Sequence, residues 1–350
     1  MELLHAAARH GLEPVALRGH GGAFELPGIA LQQLLGACGG QHPRRAARGR
    51  RLLFLTEELH LGTARRFRGR VTLAIGIDVG ATKVAAGVVE LDTGRIQSSS
   101  VVGSDLARGG ASLLHDCVEV ARQLAGDCAI DAVGVAVCET VDLDGRVTSA
   151  YSFDWRALDV ARAFSEIAPA RIESDVRAAA RAEARFGAGR KRASFLYVNA
   201  GSGISSTLVL DGAPHAGARG NAILLGAGPL NVEALASGTA LQARHGVSAA
   251  ELAKAADAGE SWARQVLQDA GAVLGQAIAF AVNLLDPEIV VLGGGVALGS
   301  AVYTAAAETA MRAHVWSDNT KAIPLVQGAL GLEAGMIGAA LIAAPHAVAS

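Results

Sequence analysis

The stretch LAIGIDVGATKVAAGVVE, residues 73 to 90, carries the first structural signal of this sequence. Two β-forming apolar runs flank a short turn that holds Asp78, Gly80, Thr82 and Lys83. Glycine lets backbone amides approach a phosphate, lysine adds a cation and threonine a hydroxyl. An aspartate can hold Mg²⁺ through its water ligands. The turn therefore has the components of a phosphate–magnesium site; the alternative is an ordinary β-hairpin with incidental charges.

Two further glycine turns follow along the chain. NAGSGISS, residues 199–206, places Gly201 and Gly203 between two predicted strands, but it lacks the third glycine and the helix of a dinucleotide-binding motif. IVVLGGGVALG, residues 289–299, places Gly293 and Gly294 between a predicted strand and a helix. A Rossmann turn would need an acid about 20 residues on, and Glu308 comes too early for that role. Neither turn is diagnostic by itself.

Composition favours a two-domain α/β protein. The chain has 350 residues, of which 51% are hydrophobic, and this is enough for two cores. Residues 1–70 hold eleven Arg and five Glu, a net charge of +6, which leaves −8 for the rest of the chain. The four cysteines form no CxxC pair. With no signal-peptide pattern and no apparent membrane span, we expect a cytoplasmic protein without a membrane partner.

The order of the motifs resembles the sugar-kinase, actin and Hsp70-like ATPase superfamily, and more specifically the ROK family (repressors, open reading frames and sugar kinases). IGIDVGATK is similar to the family's first phosphate motif, and IESDVRAAARAEARFGAG is similar to its catalytic segment. VEALASGTAL and NLLDPEIVVLGGGV also resemble family segments, the second being the adenosine-side strand. The likeness runs from about Val71 to Ala343, which is most of the chain.

The resemblance implies a role for each matched residue, with ATP and Mg²⁺ as the expected nucleotide and metal. Asp175 would be the catalytic base that takes the proton of a substrate hydroxyl. Because Asp175 precedes a predicted helix, it is also a candidate N-cap, and both roles can hold at once. Phosphate, Mg²⁺ and adenosine would be handled by Asp78 (Mg²⁺ through water), Gly80, Thr82, Lys83, Gly201, Gly203, Gly293 and Gly294; the substrate would be bound by Ser174, Asp175 and Glu233.

The sequence departs from the family pattern on the substrate side. Cys138, Glu139 and Thr140 stand where the family has Pro-Gly-Pro, and Ser174 replaces an asparagine. Leu224 and Ala227 stand where the family places a sugar-binding glutamate and a histidine, and that histidine also binds zinc. The cysteine-rich zinc loop is missing, so we expect no zinc site. Each lost hydrogen bond costs about 0.5–1.5 kcal/mol, so an ordinary hexose should bind poorly.

The resemblance implies an α/β fold with two actin-like (ribonuclease H-like) lobes around an ATP cleft. We expect a basic appendage over residues 1–70, a small lobe over 71–175 plus a C-terminal helix at about 331–343, and a large lobe over 176–330. The appendage has the size and position of the family's winged helix-turn-helix, and a vestigial form of it is one interpretation. GIALQQLL offers only Gln32 and Gln33 as base readers, so DNA binding is not our expectation.

Two functions remain in view. The first is an ATP-dependent phosphotransferase that phosphorylates an alcohol of a small polyhydroxylated substrate, such as a cyclitol, an aminosugar or a biosynthetic intermediate, rather than plain glucose. The second is a non-catalytic ROK-type transcriptional regulator or pseudokinase. Asp175 and the complete first turn favour the kinase, whereas the basic appendage and the altered sugar residues favour the regulator. We expect a homodimer in either case.

Overall fold

The computed structural model of the protein describes residues 72–228 and 231–343, and the expectations for residues 1–70 lie outside these ranges. A first five-stranded sheet has the order β3-β2-β1-β4-β5. β1 and β2 form the antiparallel hairpin predicted from the opening stretch, and β4 and β5 follow in parallel. The strands of this sheet are β1 (Leu73–Val79), β2 (Lys83–Glu90), β3 (Ile96–Gly103), β4 (Ala132–Val137) and β5 (Ala170–Ser174).

A second five-stranded sheet repeats this plan, with the order β10-β9-β6-β7-β8. Its hairpin β6–β7 is antiparallel, and β9 runs parallel to β6, as β4 does to β1. The repeat places the glycine turn of the second hairpin in the position that the Asp78 turn has in the first. The strands are β6 (Ser194–Ala200), β7 (Ile204–Leu210), β8 (Ala213–Pro214), β9 (Val290–Gly293) and β10 (Leu325–Gln327).

Helices cover the two sheets. The longest, Ser261–Leu285, is long and apolar enough to cross a membrane by length and composition, but 56% of its most apolar window is buried inside the molecule, as in a core helix. The helices are α1 (Gly110–Ala125), α2 (Val160–Ala163), α3 (Asp175–Phe186), α4 (Val232–Ala236), α5 (Gly238–His245), α6 (Ala249–Asp257), α7 (Ser261–Leu285), α8 (Gly295–Gly299), α9 (Ala301–His314) and α10 (Ala334–Ala343).

Strand alternation explains how two helices share the first sheet. Ile75 and Ile77 of β1 point into a core with α1, whereas Ala74 points into a core with α10. A Cβ at Gly76 would overlap the Met336 carbonyl, so the α10 backbone lies directly on the strand. This is the period-2 pattern of a sheet that is covered on both faces.

The helices α3 and α10 connect the two sheets. α10 packs on β1 and β4 and also on α3, and α3 in turn packs against β7 of the second sheet. A core cluster joins Val176 and Ala179 of α3 to Phe195, Tyr197 and Val209 of the second sheet. α3 begins at Asp175, the predicted lobe boundary, and contacts both sheets, so its contacts do not assign it to one lobe. The position of the boundary stays a prediction.

Candidate active site

The turn between β1 and β2 is closed by a hydrogen bond from the Gly80 amide to the Lys83 carbonyl at 2.9 Å. Asp78 is the penultimate residue of β1 and is half-buried, whereas Thr82 and Lys83 are exposed. Ser104, the residue directly after β3, holds this turn: its hydroxyl donates to the Gly80 carbonyl at 2.8 Å, and its amide donates to the Thr82 carbonyl at 3.1 Å. Sequence reasoning missed Ser104, because nothing local marks it as a partner of a turn 24 residues earlier.

Asp175 begins α3 at the point where β5 ends. The N-cap position belongs to Ser174, whose side chain makes no capping hydrogen bond, and Asp175 is the first helical residue. Its Oδ1 accepts from the Val176 amide at 2.6 Å, one of the amides that a helix start leaves without a partner. The N-cap interpretation is therefore off by one residue, although the carboxylate does stabilise the helix start.

Parallel pairing brings Asp78 and Asp175 to one edge of the first sheet. Val79 pairs with Val137, and Val137 pairs with Ser174, so the carboxyl ends of three strands lie side by side. The two carboxylates are close enough to interact. Burial, followed by the charge of Asp78, raises the pKa of Asp175 to about 7. Burial also raises the pKa of Asp78 to about 6, opposed by the charge of Lys83.

Cys138 lies in the same cleft. Burial raises the pKa of its thiol to about 12, and the charges of Asp175, Glu139 and Asp78 act in the same direction. A thiol with so high a pKa is protonated at neutral pH, which excludes it as a thiolate nucleophile. Cys138 therefore contributes shape and low polarity to the site rather than reactivity.

Gly335 of α10 closes the cleft behind Asp78. A Cβ on this residue would overlap the Asp78 carboxylate, so only glycine leaves the carboxylate in its place. The sequence shows a small-residue helix here but gives no sign that one of its glycines faces an acid 257 residues earlier. Gly335 is thus a second site residue that sequence reasoning missed.

The two later glycine turns lie next to each other at the end of the second sheet. The Gly201 amide donates to the Gly203 carbonyl at 2.9 Å and closes the β6–β7 turn. Asn199 of β6 pairs with Gly293 of β9, and a Cβ on Gly201 would lie 3.8 Å from the Gly294 Cα. Gly294 has φ +87°, a conformation that favours glycine, and its close approach to β6 leaves no room for a side chain.

Tyr197 lies on the strand before the Gly201 turn and is influenced by the carboxylates of Asp78 and Asp175. It lies on β6 of the second sheet and is fully buried. Burial raises the pKa of its phenol, followed by the charges of Glu183, Asp175 and Asp78. The carboxylates of the first sheet therefore lie close enough to β6, the strand that leads into the Gly201 turn, to influence this phenol.

Glu139 organises the substrate side of the cleft. This acid is 2% exposed and accepts hydrogen bonds from the amides of Tyr151 (2.9 Å), Ser152 (2.6 Å) and Phe153 (3.2 Å) and from the Ser149 hydroxyl. Its charge contributes to the raised pKa of Asp175. A carboxylate thus holds the loop over residues 149–153 beside the candidate base, a role that the sequence does not reveal.

Glu233 lies beside the second glycine turn. Its Oε2 accepts from the Ile204 amide at 2.7 Å, and a Cβ on Gly203 would lie 2.9 Å from its Oε1. Leu224, which stands where the family has a sugar-binding glutamate, is 45% exposed. Glu233 is therefore near the β6–β7 turn, and its role as a substrate ligand stays a prediction.

The described residues contain no group of three or more His, Cys, Asp or Glu side chains that could hold a metal ion. Asp78 is the residue predicted to hold a metal, and its carboxylate lies near the end of β1, just before the first glycine turn. Burial raises the pKa of both acids, and the charge of Asp78 adds to the raised pKa of Asp175, so a divalent cation would stabilise the ionised carboxylates. Hard oxygen donors beside a glycine turn fit Mg²⁺, which binds through few carboxylates and keeps several waters.

Known proteins are similar to this chain in sequence. Residues 74–345 match the ROK family. The bifunctional enzyme NanE/NanK of Brucella melitensis biotype 1 is 38% identical over 192 residues, which are 51% of this chain and 36% of that enzyme. The chain thus spans about a third of that relative's length. The kanosamine kinase of Amycolatopsis mediterranei is 30% identical over 257 residues, which are 64% of this chain and 81% of that kinase.

A solved structure supports the same conclusion about the fold. The ROK family glucokinase of Streptomyces griseus, in complex with glucose and AMPPNP, superposes with a TM-score of 0.71 at 24% identity and covers 77% of this chain and 99% of its own. The predicted two-lobed α/β fold is therefore confirmed. Since the family match spans more than three quarters of the residues, this chain belongs to the ROK family.

Proposed function

We propose that the protein is an ATP-dependent kinase that phosphorylates an alcohol group of a small sugar-like substrate. The observation that carries this proposal is the proximity of Asp175 and Asp78 at the carboxyl ends of β5 and β1, beside the glycine turn of the first hairpin. An acid with a pKa near 7 suits proton transfer at neutral pH. Backbone amides at glycine turns suit the phosphates of a nucleotide.

In the proposed reaction Asp175 accepts the proton of the acceptor hydroxyl. The hydroxyl oxygen forms a bond to the γ-phosphorus while the bond from that phosphorus to the β,γ-bridging oxygen breaks, and ADP leaves with that electron pair. Lys83, exposed on the first turn, is placed to stabilise charge on the phosphates. Gly201 and Gly203 would approach the phosphates from the second sheet, and Gly293 and Gly294 would flank the adenosine.

Asp78 would hold Mg²⁺ through water. When bound, the metal supplies positive charge that neutralises the phosphate oxygens. Gly335 keeps the Asp78 carboxylate in place from behind, because any larger residue would displace it. This chain's own contribution is thus to position one carboxylate for the metal and one for the proton.

For the acceptor we propose an aminosugar, a cyclitol or a related biosynthetic intermediate rather than plain glucose. Leu224 and Ala227 cannot supply the hydrogen bonds of the glutamate and histidine that the family uses at these positions. The kanosamine kinase among the relatives carries an aminosugar in its name, and this chain covers most of that kinase. Ser174 and Glu233 remain as candidate polar ligands on the acceptor side.

The alternative is a non-catalytic regulator or pseudokinase. The loss of family sugar ligands at Leu224 and Ala227 is the feature that favours it. Asp175 and the complete first turn oppose it. Two neighbouring half-buried acids with raised pKa values are typical of a functional site. Relatives named kanosamine kinase and N-acetylmannosamine kinase also favour the enzyme.

A screen for acceptor-dependent consumption of Mg-ATP over aminosugars, cyclitols and hexoses tests the proposal. With the best acceptor, Asp175→Asn should lower turnover by about 10²–10⁴, the range for loss of one positioned base, while AMPPNP affinity stays the same. The exposed turn residue Asp92 provides the matched control, since Asp92→Asn should be silent. Wild-type turnover in Asp175→Asn would exclude Asp175 as the base, and the absence of any acceptor would support the regulator.

A further inference from the structure

A cavity of about 800 Å³ lies in the first lobe, outside the proposed active site. Its walls are the loop over residues 143–147, the segment over 155–161, the edge strand β5 and the end of α10. None of the residues proposed to bind nucleotide lines it, and neither does Asp175. Its volume lies within the range of small-molecule binding sites.

Among the arginines that line this cavity, Arg146 pairs with Asp144 and Arg156 with Asp154, whereas Arg171 and Arg181 have no carboxylate of the described residues within 4.0 Å. Of the three carboxylates, Glu173 is held by Arg177, and Asp159 accepts from the Arg162 amide at the start of α2. The hydrogen bonds of Glu173 thus go to Arg177, although its charge also acts on Arg181. The charged lining residues are Arg146, Arg156, Arg171, Arg181, Asp144, Asp159 and Glu173.

Arg181 is the most informative of these residues. Its Nε is buried and has no hydrogen-bond partner, and no carboxylate of the described residues lies within 4.0 Å of its guanidinium. Burial lowers its pKa, the charge of Glu173 opposes that change, and the charge of Arg177 reinforces it. Glu173, Arg177 and Arg181 follow one another at intervals of four residues, so one carboxylate serves two guanidinium groups.

A partly buried guanidinium whose Nε has no hydrogen-bond partner is costly, because this group gives up hydration without gaining a bond in exchange. We propose that this cavity binds a small oxyanion metabolite, phosphorylated or carboxylated, with Arg181 as the buried anchor and Arg171 at the rim. The planar donor fork of arginine matches both phosphate and carboxylate. Leu158 and Ile342, both partly exposed, offer apolar surface to the rest of such a ligand.

The site has a physical connection to the proposed catalytic base. Glu173 lines the cavity, accepts from the Ser174 amide at 2.9 Å and from Arg177 Nε at 2.7 Å, and lies two residues before Asp175. A ligand that pairs with Arg181 competes with Glu173 for positive charge. The cavity is thus placed to act on the strand–helix junction that carries Asp175 without occupying the cleft.

The test is calorimetric titration of the full chain with inorganic phosphate, glucose 6-phosphate and citrate in separate experiments. Saturating AMPPNP is present throughout, so that anions cannot enter the phosphate turns. We expect one binding event per chain for at least one probe, and the preferred probe identifies the phosphorylated or carboxylated class. Arg181→Gln should weaken it at least about tenfold and Arg171→Gln about threefold, as expected for charge-assisted hydrogen bonds.

Arg190, an exposed arginine just beyond α3, serves as the control, because Arg190→Gln should leave binding unchanged. The melting temperature of Arg181→Gln should not fall, since it removes an unpaired buried charge; if that variant fails to fold, Arg171→Gln decides. Absence of binding for all three probes overturns the proposal. Equal binding in wild type, Arg181→Gln and Arg171→Gln overturns it as well.

Discussion

At the scale of single residues, the same side chain has different properties in different surroundings. Asp175 and Asp78 are half-buried, lie close together and have raised pKa values. Asp154, exposed and bonded to Arg156, has its pKa lowered to about 2. A carboxylate that shares a partly dry cleft with another holds its proton to neutral pH, whereas one beside a guanidinium loses it early. Candidate chemistry therefore belongs to the first pair.

The first prediction is a pH dependence of the kinase reaction. Asp175 must be ionised to accept a proton, and burial together with Asp78 raises its pKa to about 7. Turnover should thus fall about tenfold for each pH unit below 7, and more steeply below pH 6, where Asp78 is protonated as well. The measurement is kcat/KM for the acceptor between pH 5 and 9. A flat profile down to pH 5 would contradict this role for Asp175.

The second prediction concerns Arg177, which is 2% exposed. It donates to Glu173, to the Gly220 carbonyl at 2.5 Å and to the Val141 carbonyl at 2.8 Å, and so joins loops from the two halves of the chain. Arg177→Ala should lower the free energy of unfolding by about 3–5 kcal/mol, because it leaves a carboxylate and two carbonyls without their partner. Denaturant titration measures this, with the exposed Arg190→Ala as a control that should change little.

At the scale of elements, the contacts of α10 explain why this helix consists of small residues. Its backbone touches β1 at Gly76 and β4 at Gly134, where a Cβ on either strand glycine would overlap a helix carbonyl. On its other side, a Cβ on Gly338 would overlap the Ala178 carbonyl of α3. Close packing on both sides requires glycine and alanine at these contacts. The arrangement holds the elements that carry Asp78 and Asp175 in one rigid layer.

The third prediction tests this contact through Gly338→Ala. Since the added methyl group has no space next to the α3 backbone, either helix must shift, and we expect a loss of about 1–3 kcal/mol or more in stability. Gly299, exposed at the end of α8 with no atom within 4 Å of its Cβ position, is the control. Gly299→Ala should be neutral. Equal melting temperatures for the two variants would show that α10 can move away from α3 at little cost.

At the scale of the whole molecule, the fold is the same strand plan used twice. Each sheet begins with a hairpin whose turn is rich in glycine, and continues with two parallel strands on the far side of the first. In the proposed nucleotide site, the two hairpin turns would lie on either side of the phosphates. A nucleotide would then be held from both sheets, which is why the proposed phosphate residues come from distant parts of the chain.

The fourth prediction concerns the basic segment over residues 1–70. All residues proposed to bind nucleotide lie between Asp78 and Gly294, on strands that begin at Leu73 or later. Deletion of residues 1–70 should leave AMPPNP affinity within about twofold of the full chain. The full chain should also show no preference for one duplex sequence over random DNA at moderate salt. A salt-resistant sequence preference would favour the regulator instead.

The fifth prediction is that the purified protein carries no stoichiometric zinc. Cysteine and histidine ligands at zinc-loop spacing are missing from the sequence, and Ala227 replaces the histidine that the family uses as a ligand. Elemental analysis of protein purified without chelators measures this directly. One zinc per chain would contradict the prediction and would require ligands that the cysteine spacing does not suggest.

The sequence alone was sufficient for the fold class, the strand–turn–strand units and the family. These depend on local patterns: alternating apolar residues, glycine turns and motif order, which can be recognised without knowing what packs on them. The opening stretch forms a hairpin, with Asp78 near the end of its first strand. The later glycine turns follow strands β6 and β9, as expected.

Only the tertiary structure decided which distant residues meet. Ser104 fastens the first turn, Gly335 lies behind Asp78, and Glu139 holds the loop beside Asp175, although none of them has a local signal for these contacts. The raised pKa of Asp175 and the partnerless Nε of Arg181 likewise depend on burial and on neighbours from other elements. Burial and long-range proximity are properties of packing, so they become visible only once the two sheets and their helices are assembled.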